Sequence, residues 1–251
     1  MGKMDKEVFV CLDCETTGLD PVQDRVIEVA VIKFTLGEIL EEFEVLVNPN
    51  CPIPETSIAI HHITQEMVEG KPVIEEMLPK IIDLLGSHIV VGHGVGFDIQ
   101  LLINAAQRSN IPCGLSQNRI LDTLRMARQY GESPVNSLEQ LRRHFNIPAV
   151  GAHRAMGDVM VNVEVFKCLA RDYNTTEDLF EMLSRPILFK TMPLGKHKGR
   201  QMSEVPLEYL LWAGRKDFDQ DLLYSIRTEI KKRKKGNLFS QATNPFHNLM
   251  C

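Results

Sequence analysis

The sequence predicts an α/β protein in which helices flank a mixed β-sheet and a small basic module follows. Three observations support this prediction. Apolar and β-branched runs crowd the first 50 residues, short apolar runs then alternate with amphipathic helical patterns to residue 171, and basic residues accumulate beyond residue 186. We therefore expect one larger domain followed by a smaller one.

The N-terminal runs predict three strands, at 7–12, 25–35 and 40–47. Because the connections between them are short, the sheet should begin with antiparallel strands. Pro52 and Pro72 then delimit a long loop around a short helical piece.

The next hundred or so residues alternate between extended and helical patterns. Short strands are predicted at 89–91 and 119–121, and Asp122 and Thr123 can cap the helix that follows the second of them. Helices are predicted at 72–85, 97–108, 137–145 and 155–171. Three successive strands followed by alternating strands and helices are typical of a mixed-sheet α/β domain.

Composition divides the chain into a domain over 1–172, a linker with a short helix over 173–186, a basic module over 187–235 and a loosely ordered tail over 236–251. Residues 186–235 contain 12 Lys and Arg but 6 Asp and Glu, a net charge of +6, so the rest of the chain carries −11. This asymmetry favours contact with nucleic acid, because phosphate neutralisation depends on local charge. The basic run 231–235 alone is equally compatible with a solvated helix end.

The composition excludes several classes of protein. Apolar residues make up 44% of the chain and charged residues 24%, as in ordinary globular proteins. No apolar run reaches the roughly 20 residues of a membrane helix, and no secretory pattern precedes the first strand. Six scattered cysteines suit reduced thiols, so we expect a cytoplasmic protein with no membrane partner. A P-loop pattern is absent, and the glycines of 92–96 do not match the dinucleotide-binding spacing.

Two carboxylates, Asp13 and Glu15, follow the first predicted strand. Residues i and i+2 of an extended chain point to the same side, so both carboxylates face one place. Like charges so close repel each other unless a cation lies between them. Such pairs are common on protein surfaces, so this pair alone does not establish a site.

Two further carboxylates occur at predicted helix starts. Asp98 begins the helix after a glycine-rich turn, and Asp158 lies near the start of the helix after His153. Oxygen ligands without paired His or Cys favour Mg²⁺ or Mn²⁺ over zinc. Two such ions would hold a water and a phosphodiester for in-line displacement, with His153 as the general base.

In this order, three motifs resemble those of the DEDDh family of 3′→5′ exonucleases, whose fold is ribonuclease H-like. The first is D-x-E-T-T-G, here 13–18; the second ends in Phe-Asp, here 93–98; the third is H-x-A-x-x-D, here 153–158. The sister subgroup with tyrosine would require Tyr where this chain has Arg154. The resemblance spans residues 7–172.

The resemblance implies removal of nucleoside 5′-monophosphates from DNA 3′ ends with two Mg²⁺ ions, for which Mn²⁺ would substitute. His153 would activate the water. The implied metal ligands are Asp13, Glu15, Asp98 and Asp158.

The resemblance also implies residues near the substrate. Leu19 is where the family often wedges an apolar side chain under the terminal bases, although simple core packing would also explain a Leu there. His61 matches a histidine of a family loop, while His62 replaces its usual small residue. The other implied substrate-binding residues of this domain are Thr16, Thr17, Gly18, His93 and Phe97.

The segment 192–200, together with Tyr209 and Trp212, resembles the small module of exodeoxyribonuclease X-type enzymes. Its basic residues Lys196, Lys198 and Arg200 would grip the substrate. Since this module looks more like a grip than a polymerase tether, a stand-alone exonuclease of repair or recombination is favoured.

Other functions stay open. The same core occurs in the epsilon proofreading subunit of replicative DNA polymerase, and RNA-trimming exoribonucleases share the motifs, so RNA and a polymerase or repair protein are alternative partners to DNA. A non-catalytic nucleic-acid-binding subunit is less favoured, because all five catalytic positions are present. A redox role for Cys11 and Cys14 is weaker still, because their side chains should point to opposite strand faces.

Overall fold

The computed structural model describes residues 3–130, 136–149 and 154–242. The chain divides into two compact units, Met1–Leu183 and Ser184–Cys251. Each unit has a hydrophobic core of its own.

Within the described residues, the first unit contains a five-stranded mixed sheet. Its strands are β1 (Phe9–Thr16), β2 (Val26–Phe34), β3 (Ile39–Leu46), β4 (Ile89–Gly92) and β5 (Ile120–Asp122). Their spatial order is β3-β2-β1-β4-β5, with β1 to β3 antiparallel and with β4 and β5 parallel to β1. The predicted mixed-sheet α/β architecture is confirmed, and β1 lies at the centre of it.

Helices cover both faces of this sheet. They are α1 (Glu55–His61), α2 (Gln65–Val68), α3 (Ile74–Leu85), α4 (Gly96–Arg108), α5 (Thr123–Tyr130), α6 (Leu138–His144), α7 (Ala155–Ala170) and α8 (Thr176–Ser184). Short 3₁₀ turns occupy Lys3–Lys6 and Leu115–Gln117. The α7 helix packs against β1 and β2, whereas α3 and α4 contribute to the core on the other face.

The alternation of side chains along β1 builds the two cores. Phe9 and Cys11 join the core shared with α7, while Val10 and Leu12 join the core shared with α3 and α4. The rings of Phe9 and Phe166 have centroids 5.0 Å apart. Burying a ring of this kind contributes about 1.5–3 kcal/mol, so the packing of α7 holds the helix firmly on the sheet.

The β1 strand ends at Thr16, whereas the sequence predicts its end at residue 12. Its ladder with β2 continues through the pairs Asp13 with Ala30 and Glu15 with Glu28. The predicted end of the strand comes too early, because apolar residues mark only the buried part of a strand. Backbone pairing continues where the side chains are polar. Asp13 and Glu15 therefore lie within the strand rather than after it.

The α8 helix belongs to the first unit, although the sequence predicts residues 173–186 as a linker with a short helix. Leu179 and Leu183 join the core on the α7 face of the sheet. The guanidinium carbon of Arg119 lies 3.7 Å from the ring centroid of Phe180. These contacts tie the helix to the residues around β5.

The second unit contains α9 (Leu207–Ala213) and α10 (Gln220–Ala242), preceded by 3₁₀ turns at Gly195–His197 and Met202–Glu204. Two side chains of α10 fix the incoming chain: Asp221 accepts from the backbone N–H of Ile187 at 3.1 Å, and the Ser225 hydroxyl donates to its carbonyl at 3.0 Å. The core consists of Met192, Met202, Val205, Leu210, Ala213, Leu222 and Ile226.

The α10 helix continues through Gly236, where the sequence predicts the start of a loosely ordered tail. An isolated glycine costs a helix only about 1 kcal/mol relative to alanine, and the preceding Lys and Arg residues favour helix. The remainder of the predicted tail, 243–251, lies outside the described residues. None of the described helices combines the length and apolar character needed to cross a lipid bilayer.

Candidate active site

Three carboxylates from β1 and α7 form a compact cluster, which we call the acidic trio: Asp13, Glu15 and Asp158. One oxygen from each lies within 4.8 Å of the others. The extended backbone of β1 places Asp13 and Glu15 on one face, and α7 brings Asp158 to that face in its first turn. An all-oxygen donor set of this size fits a divalent cation, which prefers carboxylate ligands.

The fourth predicted carboxylate, Asp98, lies beside the acidic trio but outside it. Its side chain is buried in the first turn of α4. One of its oxygens accepts a hydrogen bond from the backbone N–H of Cys14 at 3.1 Å, which ties α4 to β1 between Asp13 and Glu15. The carboxylate thus helps to hold the strand segment that carries two members of the trio.

Burial and the repulsion of neighbouring carboxylates raise the pKa values of Asp13, Glu15 and Asp98. Burial, and next the charge of Asp98, raises the pKa of Asp13 well above its usual value. Burial and the charge of Asp158 raise the pKa of Glu15 to about 7. Burial is also the main reason that the pKa of Asp98 rises to about 7, against two backbone hydrogen bonds that lower it. A bound cation would relieve this repulsion.

A buried ion pair that the sequence analysis missed anchors the start of α7. Glu28 of β2 is fully buried, and both of its oxygens accept from the guanidinium of Arg154. The same carboxylate accepts from the backbone N–H of Ala155 at 3.0 Å. This arrangement fixes the first turn of α7, from which Asp158 projects.

The predicted general base, His153, lies outside the described residues. Its neighbour Arg154 is described, and its backbone carbonyl accepts from the N–H of Asp158 at 3.1 Å. The role of His153 therefore stays a prediction from the motif.

The turn after β1 is held by its own side chains. The hydroxyl of Thr16 donates to the carbonyl of Gly18 at 2.6 Å, and that of Thr17 donates to Asp24 at 2.8 Å. A Cβ at Gly18 would lie 2.5 Å from the Asp24 carboxylate, so only glycine fits without a shift. Leu19 at the tip is 90% exposed, which excludes the core-packing explanation for this residue.

The three other predicted substrate-binding residues of this unit differ in exposure. His61 is buried, and its Nδ1 accepts from the backbone N–H of Ile63 at 3.0 Å. His93 is half-buried, with its Nδ1 3.1 Å from the hydroxyl of Thr123. Phe97 is half-buried against the core that contains α3 and α4. Burial lowers the pKa of both histidines, so both favour the neutral form.

A cleft of about 530 Å³ opens beside the acidic trio. Asp13, Asp158 and His93 line it together with Arg142 and Arg143 of α6. A cleft of this volume lies in the range of small-ligand sites. The two arginines are further residues that the sequence analysis missed, because nothing in the pattern of α6 distinguishes them from a solvated helix face.

The predicted basic residues Lys196, Lys198 and Arg200 lie in the second unit, where all three are exposed. Cys11 and Cys14 are buried in different cores. Burial raises the pKa of both thiols, which keeps them protonated and unreactive, against a redox role.

A family model described as "Exonuclease", of the RNase T type, matches residues 10–166. This match covers more than half of the chain, from β1 into α7, and includes the acidic trio and Asp98. The chain therefore belongs to the RNase T exonuclease family, and the family predicted from the motifs is confirmed. A second model, described as "Putative quorum-sensing-regulated virulence factor", matches residues 180–231.

Similar curated proteins include DNA polymerases III of the PolC type. The protein from Thermotoga petrophila is 36% identical over 166 residues, which is 66% of this chain and 12% of that protein. The protein from Bacillus subtilis is 31% identical over 170 residues, 67% of this chain and 12% of that protein. The chain thus spans about an eighth of the length of these relatives.

Two solved structures share the fold. Exonuclease X in complex with 5′ overhanging duplex DNA is 26% identical, with a TM-score of 0.55, over 70% of this chain and 99% of that one. The zinc-bound complex of E. coli exonuclease I with single-stranded DNA is 22% identical, with a TM-score of 0.61, over 70% of this chain and 42% of that one. These similarities confirm the predicted ribonuclease H-like fold.

Proposed function

We propose that this exonuclease is metal-dependent and releases nucleoside 5′-monophosphates from the 3′ ends of DNA. The observation that carries the proposal is the acidic trio with Asp98 beside it. Four acids gather at one end of β1, and the pKa values of three of them, Asp13, Glu15 and Asp98, are raised, so a bound cation would favour their charged forms. The DNA in the exonuclease X complex supports DNA as the substrate.

The four acids Asp13, Glu15, Asp98 and Asp158 are the proposed metal ligands. Oxygen donors favour two Mg²⁺ ions, for which Mn²⁺ would substitute. When bound, the ions would lower the pKa of the attacking water and stabilise the leaving 3′ oxygen.

The chain's own residues would bind the terminal nucleotide, hold Asp158 in place and deprotonate the attacking water. His153 accepts the proton of the attacking water as general base. The pair of Glu28 and Arg154 holds the start of α7, so that Asp158 keeps its place. The cleft beside the trio receives the terminal nucleotide.

Each predicted substrate-binding residue has a role in this proposal. Exposed Leu19 at the tip of the turn can wedge under the terminal bases, while Thr16, Thr17 and Gly18 present the backbone of that turn. His61, His93 and Phe97 shape the wall of the terminal-nucleotide site. Lys196, Lys198 and Arg200 supply a sequence-independent grip on phosphates.

One observation favours a second function, proofreading within a DNA polymerase. The curated relatives are PolC-type polymerases, although the match covers about 12% of their length. We favour the stand-alone enzyme, because the second unit presents exposed basic residues to a nucleic acid.

The test uses DNA oligonucleotides labelled at the 5′ end, single-stranded and duplex, with Mg²⁺ and then with EDTA. Asp158→Ala is compared with Glu164→Ala, a matched control on the same helix whose exposed carboxylate pairs with Lys167. We expect a 3′-shortening ladder that EDTA abolishes and that Asp158→Ala slows by at least about a thousandfold, which is about 4 kcal/mol of barrier. The control should keep the wild-type rate.

A wild-type rate for Asp158→Ala would contradict the assignment of the metal site. Shortening from the 5′ end would contradict the direction. If DNA is not cleaved and RNA is, the substrate class is wrong and the site stands; if neither is cleaved, the chain is a binding subunit.

A further inference from the structure

The second unit carries a row of three aromatic rings on its surface, which we call the aromatic row: His197, Tyr209 and Trp212. The ring centroids of His197 and Tyr209 lie 4.5 Å apart, and those of Tyr209 and Trp212 lie 5.2 Å apart. Trp212 remains 50% exposed. Tyr and Trp are enriched at interfaces, because each joins a large apolar ring to a polar group.

The aromatic row is held in place by the turn that precedes it. Gly195 has φ +74, and a Cβ there would lie 2.6 Å from the hydroxyl oxygen of Tyr209, so the turn closes against that ring. Backbone hydrogen bonds from Lys198 to Gly195 and from Gly199 to Met192 fix the turn. The rings are therefore ordered before any ligand arrives, which lowers the entropy cost of binding.

Positive charges surround the aromatic row. Lys196 and Lys198 flank His197 in the chain, and the ammonium of Lys216 lies 5.1 Å from the ring centroid of Trp212. Within the described residues, no carboxylate forms an ion pair with any of these three lysines. Glu208 is the acidic residue of α9, but residues 186–235 as a whole carry a net charge of +6. The surface thus combines aromatic rings with lysines that form no ion pair among the described residues.

We propose that the aromatic row stacks on unpaired bases of a single-stranded nucleic acid, while Lys196, Lys198 and Lys216 contact its phosphates. Stacking rings along a basic track are the features with which proteins bind single strands without sequence preference. A protein partner would call instead for a purely apolar patch, whereas here Lys216 lies over the ring of Trp212 and two lysines flank His197 in the chain. The proposal rests on the proposed function and extends it, because it assigns the bases as well as the phosphates to the second unit.

Trp212 is the one tryptophan of the chain, so its fluorescence reports directly on the aromatic row. The full-length protein is titrated in EDTA, which prevents cleavage, with an oligothymidylate and with an abasic strand of the same length. We expect the oligothymidylate to quench the fluorescence and the abasic strand, which has phosphates but no bases, to leave it nearly unchanged.

Affinity is measured with a labelled oligothymidylate by fluorescence anisotropy. Trp212→Ala should weaken binding by roughly 5- to 150-fold, the range expected for losing one stacked base, and the affinity of Trp212→Phe should lie between those of Trp212→Ala and the wild type. Tyr224→Ala, which removes an exposed aromatic side chain of α10 outside the row, should leave binding unchanged. Melting temperatures identify any variant that fails to fold, and the wild-type quenching experiment does not depend on a variant.

Absence of quenching by DNA and RNA single strands alike would overturn the proposal. So would equal quenching by the abasic strand, or equal losses for Trp212→Ala and Tyr224→Ala. Because EDTA separates binding from cleavage, a 3′ ladder without quenching rejects the aromatic row alone, and quenching without a ladder rejects the exonuclease alone.

Discussion

At the scale of single residues, Glu28 connects the sheet to the helix that carries Asp158. Its buried carboxylate binds the guanidinium of Arg154 with both oxygens and accepts from the N–H of Ala155. Removing one partner of a fully buried pair costs about 3–5 kcal/mol. Arg154 is 38% exposed, so water screens part of that loss and about 1–3 kcal/mol is expected.

Glu28→Gln should therefore lower the free energy of unfolding by about 1–3 kcal/mol, and should lower kcat by more than it changes KM, because the start of α7 loses its anchor. Urea unfolding and steady-state kinetics measure the two effects. Glu164→Gln on the same helix is the control, since its exposed pair with Lys167 should be worth less than about 1 kcal/mol. Equal stability and kcat for Glu28→Gln and wild type would show that the pair anchors nothing.

The raised pKa of Glu15 predicts how pH affects metal binding. The pKa of Glu15 in the folded protein is about 7, above its ordinary value of 4.5. Protonated Glu15 therefore stabilises the metal-free fold fully below pH 4.5, and this stabilisation is lost as the pH rises through 7. A bound cation favours the ionised form, so the apparent Mg²⁺ affinity should fall by about tenfold between pH 8 and pH 6 for this one proton.

Calorimetric titration with Mg²⁺ measures this dependence, together with the Mg²⁺-induced shift of melting temperature, which should be larger at about pH 8 than at about pH 6. Glu15→Gln removes the titrating group and should flatten the part of the dependence that Glu15 contributes. An affinity that rises towards low pH would contradict the assignment of Glu15 as a ligand.

The four acids proposed as metal ligands were predictable from the sequence because the pattern that marks each of them is local. Asp13 and Glu15 share a face by strand geometry alone, and Asp98 and Asp158 each begin a helix. Glu28 was missed because its role depends on a partner that is distant in the chain, Arg154. The one available signal was a carboxylate in the middle of an otherwise apolar strand, which requires a buried counter-charge.

At the scale of elements, the β1–β2 turn shows how a loop can present an exposed apolar side chain. Thr17 and Asp24 join the two sides of the turn by a hydrogen bond, which leaves Leu19 projecting at the tip. Gly18 fits because a Cβ there would lie 2.5 Å from the Asp24 carboxylate.

Gly18→Ala should displace Asp24, open the turn and destabilise the protein by about 1–3 kcal/mol, the usual cost of overpacking. It should also raise KM for single-stranded DNA, because Leu19 moves with the turn. Gly37→Ala is the matched control: its Cβ would find only Thr35 at 3.9 Å, in the next hairpin turn. Thermal unfolding measures the stability and steady-state kinetics measure KM. Equal stabilities and KM values for the two variants would contradict the steric argument.

The identity and order of the predicted elements agree with the structure, and the differences have two physical causes. The β1 strand extends beyond its predicted end at residue 12, and α10 extends beyond Gly236, where the sequence predicts the tail. In both cases backbone hydrogen bonds continue where the hydrophobic pattern stops. The α8 helix packs into the core of the first unit through Leu179 and Leu183, a tertiary contact that a short capped segment does not reveal.

At the scale of the whole molecule, charge is divided between the two units. Residues 186–235 carry +6, and the rest of the chain carries −11. An acidic site repels a phosphodiester until metal is bound, so the proposed function requires the basic unit to attract the substrate. Within the basic run 231–235, Arg233 donates to the backbone carbonyls of Met202 and Val205 and so belongs to the packing of this unit.

A chain that ends after Arg185 tests this division. The end is placed there because α8 contributes to the core of the first unit, so cutting earlier would remove Leu179 and Leu183 from it. We expect the shortened protein to keep its metal-dependent kcat and to show a higher KM for single-stranded DNA.

Neutralising one phosphate contributes about −0.7 to the slope of log affinity against log salt. If Lys196, Lys198 and Arg200 each contact a phosphate, that slope should be less steep by about 2 in the shortened chain. KM measured between about 50 and 200 mM salt gives both slopes, and unchanged melting of the shortened chain is the control for folding. Equal KM values and equal slopes would mean that the second unit binds another protein rather than the nucleic acid.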